Sequence, residues 1–230
     1  MRTTLSLFVA LACGSCLLAG RCLGAEQSPA AGHLGILAYG SLIDDPGEEI
    51  GGATSRRVAM KTPFAIEFGR SSHTRGGAPT LVPVKVGGAA VNAVLLVLKD
   101  SVSEEQAASM LWRRETRKKD NTKQYVPPEH PGPNSVLVKS VTIGGVKILY
   151  TDFADSGKLK NPTAKQLAEF AVASARNRHV PEGRDGISYL ISAKKAGIRT
   201  PLMPDYEREI LRITGAATLE HALAKLKAGQ

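Results

Sequence analysis

The sequence predicts an α+β fold, a small mixed β-barrel with flanking helices. Three observations predict it. Short apolar runs, broken by glycine and proline turns, fill the stretch from residue 34 to about 153. Helical periodicity takes over from residue 161 onward. One run, AVNAVLLVL at 90 to 98, is apolar nearly throughout, which predicts burial on both faces, as inside a barrel.

The elements follow in order. GILAYGSL, residues 35 to 42, reads as a buried strand that runs into a turn. Two strand-like pieces follow, around Val58 and from Phe64 to Phe68, and alternation there puts Glu67 on the face opposite Phe68. RGGAP, residues 75 to 79, has loop chemistry. TLVPV and AVNAVLLVL, separated by Gly87 and Gly88, predict a hairpin. Residues 103 to 118 predict a helix. Ser103 and Gln106 form a capping-box pattern, and Glu104 and Glu105 suit the first turn. Ala107, Met110, Leu111 and Glu115 share one face of it, so a carboxylate projects from an apolar stripe. Residues 119 to 135 are irregular, and VPPEHPGPN forms a stiff loop. Two strands flank Gly144 and Gly145. A helix over 161 to 179 has Pro162 in its first turn and a stripe of Leu167, Phe170, Ala171 and Ala175. ISYLISAKKAGI, YEREILRI and TLEHALAKLKAG supply the final helical part.

At 230 residues the chain suits one domain. Residues 1 to 25 differ from the rest: Arg2 is followed by an uncharged apolar run from 5 to 20, the length of a signal-peptide core. An uncleaved anchor is the alternative. EQSPAAGH, residues 26 to 33, is a linker, and 34 to 230 is the domain. Cys13, Cys16 and Cys22 all lie in the leader, so the mature chain has no cysteine. That excludes a disulfide scaffold, a cysteine nucleophile and a zinc-thiolate site. The expectation is an exported protein, periplasmic or secreted, with no membrane contact once the leader is removed. Net charge is +9, and part of the excess sits in RRETRKKDNTK, residues 113 to 123. A solvated helix end accounts for most of those lysines, and an anionic small molecule fits an exported basic protein better than nucleic acid does. His33, His73, His130, His179 and His221 show no ligand spacing and read as surface or loop residues, so no metal site is expected.

Chemistry enters at the end of the first strand. A strand ending in Tyr39, Gly40 and Ser41 turns backbone N–H groups outward, Gly40 lets a ligand approach, and Ser41 adds a hydroxyl. Such a bend suits a carboxylate or a developing oxyanion. YGSLIDDPG resembles the YGS-type motif of the γ-glutamylcyclotransferase superfamily, especially its ChaC-type branch. RGGAPTLVPV with AVNAVLLVL resembles the middle sheet of that family, LWRRE the helix that delivers its catalytic glutamate, and GRDGISYLISAKKAGI its late glycine-tyrosine element. These matches span roughly residues 34 to 215.

The resemblance implies a γ-glutamylcyclotransferase-like fold and a cyclotransfer. The enzyme, of amide-cleaving lyase or acyltransferase type, would release 5-oxoproline from a small-molecule γ-glutamyl amine or peptide, with no cofactor. By the same resemblance Glu115 is the general base and acid, its apolar helical face raising its pKa. Tyr39, Gly40, Ser41, Leu42 and Ile43 line the site, and Tyr189 closes the pocket. Arg70 and Arg75 flank the other side of the cavity. Each has a plainer alternative: Glu115 in a buried pair with Arg70 or Arg75, Tyr189 a half-buried helix aromatic, the arginines surface groups. The glutamate is followed here by TRKKDNTKQY rather than by the glycine-rich run of that family, and export departs from its usual cytosolic setting. The alternative function is a non-catalytic carboxylate-binding module of the same fold. A weaker third is another amide-forming or amide-cleaving enzyme.

Overall fold

The computed structural model describes residues 33 to 228. The predicted leader and all but His33 of the linker lie outside the described residues. β1 (Leu34–Ala38) comes first, followed by a 3-10 turn, Gly40–Leu42, and a short helix, α1 (Glu48–Ala53). Then come β2 (Thr54–Lys61), β3 (Ile66–Ser72), β4 (Ala78–Pro83), β5 (Asn92–Leu98) and α2 (Glu104–Thr116). β6 (Val136–Ile143) and β7 (Val146–Phe153) precede α3 (Ala164–Arg176), α4 (Gly186–Lys195), α5 (Met203–Thr214) and α6 (Leu219–Ala228).

The fold is α+β, as the pattern predicts, but the sheet is open rather than closed into a barrel. Five strands run in the order β2-β5-β1-β7-β6, and β3 with β4 forms a separate two-stranded sheet. β1 is parallel to β7 and antiparallel to β5. β5 is apolar along its length because it lies between β1 and β2 in mid-sheet, with each face covered. On one face Leu96 and Leu98 meet Ala107 and Leu111 of α2. On the other, Leu95 and Val97 pack with Leu37, Ile148 and Phe64. Two covered faces therefore account for the apolar run without closure. The edge strand β2 exposes Arg57 and Lys61, which discourages further pairing.

The hairpin expected between TLVPV and AVNAVLLVL does not form. β4 pairs with β3, through the tight His73–Arg75 turn, while β5 crosses to the other sheet. The Gly87–Gly88 turn closes a single bridge, Ile66 to Ala89, and no ladder.

Helix ends behave locally as predicted. The Ser103–Gln106 capping box is complete, with the Ser103 N–H donating to Gln106 Oε1 at 2.8 Å. Pro162, however, lies outside α3, because Thr163 is its cap. Glycines 144 and 145 join β6 to β7 as expected. α3 to α6 pack on the β3–β4 ribbon in one apolar core around Phe68, Leu167, Leu190 and Tyr206. Gly186 allows α4 to approach α3 closely; a Cβ there would sit 2.7 Å from Ala171 Cα. Glu67 faces away from Phe68 but is buried too. Its carboxylate accepts from Thr200 Oγ1 at 2.6 Å and from the Leu202 N–H at 3.0 Å, tying the ribbon to the start of α5. None of the described helices is long and apolar enough to cross a membrane.

Candidate active site

The bend after β1, the end of α2, the β3–β4 turn and the loop before α4 surround a cavity of about 800 Å³. The bend is held open by geometry at one residue. Gly40 has φ +62, and a Cβ there would sit 2.8 Å from Tyr189 Oη. A side chain would thus meet both backbone strain and a buried ring. A 3-10 turn also leaves its first N–H groups without acceptors inside the turn. Ser41, Leu42 and Tyr39 line the cavity. Ile43 does not; its side chain packs into the apolar cores and its carbonyl accepts from Arg57.

Glu115 reaches the same cavity from the last turn of α2. Its side chain is 22% exposed, so it neither points into open solvent nor lies in a dry pocket. The apolar surroundings expected for it are replaced by cations. The buried apolar stripe of α2 ends at Leu111, and one turn later the helix has left the core. Arg114 Nη1 pairs with Glu115 Oε1 at 2.6 Å. The same guanidinium donates to the Asp45 carbonyl at 2.6 Å and to Ser41 Oγ at 3.4 Å. Arg114 thereby connects the carboxylate to the bend. The pairing considered between Glu115 and Arg70 or Arg75 is not among the ion pairs of the described residues.

Arg70 and Arg75 both line the cavity. The Arg70 guanidinium lies 3.9 Å over the Phe153 ring, and its Nη2 donates to Asn134 Oδ1 at 3.1 Å. Arg75 lies 4.8 Å over the Tyr189 ring and donates to the Arg184 carbonyl at 3.2 Å. Tyr189 is buried against the cavity rather than half exposed on its helix. Burial pushes its phenol pKa up, while Arg75 and a Leu81 backbone hydrogen bond act the other way. Tyr39 is raised further, by burial first and then by the Glu115 and Asp152 carboxylates. Both rings stay neutral at ordinary pH, and the Tyr39 hydroxyl is spent on the Thr151 carbonyl at 2.8 Å.

Three cavity arginines escaped the reading of the sequence: Arg114, Arg117 and Arg184. Arg117 caps α2 at φ 57, a left-handed position that favours glycine. Burial lowers its pKa, with Arg75 and Arg114 adding to the effect and Glu115 opposing it. A helix running straight into two further lysines gives no local sign that one of its cations lines the cavity. Arg113, by contrast, points the other way and holds α1 through Glu49 at 3.0 Å. Among the described residues, no three His, Cys, Asp or Glu side chains are placed to hold a metal ion.

No family model matches the chain, and no curated protein matches it in sequence. Among solved structures it is similar to a γ-glutamyl cyclotransferase specific to glutathione from yeast. Identity is 12% and the TM-score 0.48, over 79% of this chain and 99% of that one. At that level of likeness the chemistry has to be read from this chain's own residues.

Proposed function

We propose that the protein is a γ-glutamylcyclotransferase-like enzyme, of lyase or acyltransferase type, that acts after export and releases 5-oxoproline from a γ-glutamyl amine or peptide. The observation that carries this reading is that Glu115 and the Tyr39–Leu42 bend face one cavity and are joined through Arg114.

In this reaction the α-amine of the glutamyl group attacks its own γ-carbonyl carbon. Glu115 takes the proton that the amine loses. Negative charge grows on the carbonyl oxygen and is met by the N–H groups and the Ser41 hydroxyl at the bend. The C–N bond to the departing amine then breaks, and protonated Glu115 returns the proton to that nitrogen. The lactam and a free amine leave, with atoms and charge balanced. Because the attack is intramolecular, the main work is to hold the chain bent, for which a cavity walled by Tyr189 and Tyr39 is suited. The surplus of arginine over acid around the cavity suits an anionic substrate.

The second reading is a carboxylate-binding module. It draws support from the Arg114–Glu115 pair, which gives the carboxylate a partner before any substrate arrives. One experiment separates the two. Purified protein is offered γ-glutamyl amines and peptides, and 5-oxoproline is followed by mass spectrometry. Release at a catalytic rate supports the enzyme; tight binding of the same compounds with no release would leave only the binding module.

A further inference from the structure

Neighbouring residues on a helix do not face each other, so helix-surface ion pairs form three or four positions apart. Arg114 and Glu115 adjoin on α2 and nonetheless meet at 2.6 Å, Nη1 to Oε1. Both side chains line the cavity, and both keep some exposure, 16% and 22%. The rest of the Arg114 guanidinium is committed to the bend. Its Nε and Nη2 donate to the Asp45 carbonyl at 3.0 and 2.6 Å, and the Asp45 N–H donates to the Ser41 carbonyl at 3.0 Å. This fork on one carbonyl fixes the plane of the guanidinium and holds the turn that follows Gly40. The Asp45 carboxylate, 83% exposed and 3.9 Å from Nη2, competes weakly for the charge.

Donor counting then says what is left for a ligand. Arg114 holds one carboxylate oxygen of Glu115, and Oε2 has no hydrogen-bond partner among the described residues. A carboxylate held by one oxygen offers the other to a proton in a fixed direction. A guanidinium donates and never accepts. In the 3.4 Å contact with Nη2, Ser41 Oγ is therefore the acceptor, and its own hydrogen stays unused. That hydrogen has no acceptor among the described residues, and Ser41 lines the cavity. The hydroxyl is thus a donor for an oxygen on which charge grows.

We propose that Arg114 is a positioning residue with two outputs. It fixes Glu115 by Oε1 so that Oε2 is the base, and it turns the Ser41 hydroxyl into a donor for the substrate carbonyl. The proposal rests on the cyclotransferase reading for what base and donor act on. Arg114 itself touches no reacting atom; it acts through Glu115 and Ser41. Lysine cannot take its place in full, because an ammonium is a point charge that does not fork.

The test follows 5-oxoproline release from a panel of γ-glutamyl amines and peptides, and follows the Arg114 guanidinium by side-chain nitrogen NMR. Arg114→Ala is expected to lower kcat about 10²-fold and to move KM little. Millimolar guanidinium is expected to restore part of that kcat, and to do nothing for the unaltered protein or for Glu115→Gln. A merely structural loss would show no such rescue. Arg114→Lys is expected to keep part of the rate. In a Ser41→Ala background the Arg114→Ala loss is expected to shrink several-fold, because one of its two outputs is already gone. Undiminished kcat in Arg114→Ala, a loss carried by KM alone, no response to guanidinium, or full additivity with Ser41→Ala would overturn the proposal. In the unaltered protein hindered rotation is expected to keep the two Nη signals apart, and Glu115→Ala to quicken the rotation. A freely rotating Arg114 would overturn the proposal whatever the turnover. A failed cyclotransferase reading looks different: no 5-oxoproline forms, while the Nη signals stay apart and still respond to Glu115→Ala.

Discussion

Two cavities of this protein are lined by basic residues, and they use them in opposite ways. The smaller, about 440 Å³, sits by the end of β7 and is lined by Lys85, Lys139 and Lys158. Each lysine has an acid. Lys139 and Lys158 both reach Asp152 at 2.6 Å, and Lys85 reaches Asp155 at 2.8 Å. Asp152 in turn draws the Lys139 pKa up. The larger cavity has one paired arginine, Arg114 with Glu115, but its Arg70, Arg75, Arg117 and Arg184 form no ion pair among the described residues. Basic residues alone therefore do not mark a binding site. What distinguishes the larger cavity is charge without an acid beside it, with Arg70 and Arg75 held over the rings of Phe153 and Tyr189. The smaller cavity is a brace between β6, β7 and the chain that follows.

Substitutions in the two cavities should separate chemistry from bracing. The largest effect is expected from Glu115→Gln, which should reduce 5-oxoproline release by about 10²-fold or more, as removal of a general base does, with circular dichroism and melting little changed. Retained turnover in that variant would remove the assignment of the base. Asp152→Ala should instead cost about 2 kcal/mol in denaturant unfolding, because Lys158 is left buried without its acid while Lys139, 45% exposed, is rehydrated. Its ligand affinity should stay as it was, and a matching loss of affinity would break the division between the two cavities. Arg117→Gly should give a smaller effect of mixed sign. Relief of the left-handed backbone should add about 0.5–1 kcal/mol of stability, while anionic ligands bind more weakly. A variant that gains stability without losing affinity would show that Arg117 plays no part in binding. Lys85→Ala should do least: its pair with Asp155 is solvent-exposed, and the melting temperature should not move.

The site was legible to the extent that it was local. Tyr39, Gly40 and Ser41 stand out as a strand that ends in a glycine-serine turn, and Gly40 does carry the positive φ that the bend needs. Glu115 stands out because it breaks an apolar stripe. Its surroundings were misread as dry, since the stripe alone cannot show that α2 leaves the core at Leu111. Ile43 adjoins the bend in sequence yet faces the core, because the turn rotates it away from the cavity. Arg114 joins Glu115 to Ser41 across 73 residues of chain, and no spacing rule reaches that far.

Contacts a few positions apart along the chain set the α+β class, the Ser103 cap, the strand periods, the bend and the position of a carboxylate at the end of a helix, so all of these are readable before folding. Capping, turn chemistry and side-chain periodicity are all set within one or two turns of backbone. Long-range packing, by contrast, fixes that β4 pairs with β3 while β5 lies between β1 and β2, that the sheet stays open, and which arginines find acids. Those outcomes turn on which strand edges and charges from separate segments come together, and such distances exist only once the chain has folded.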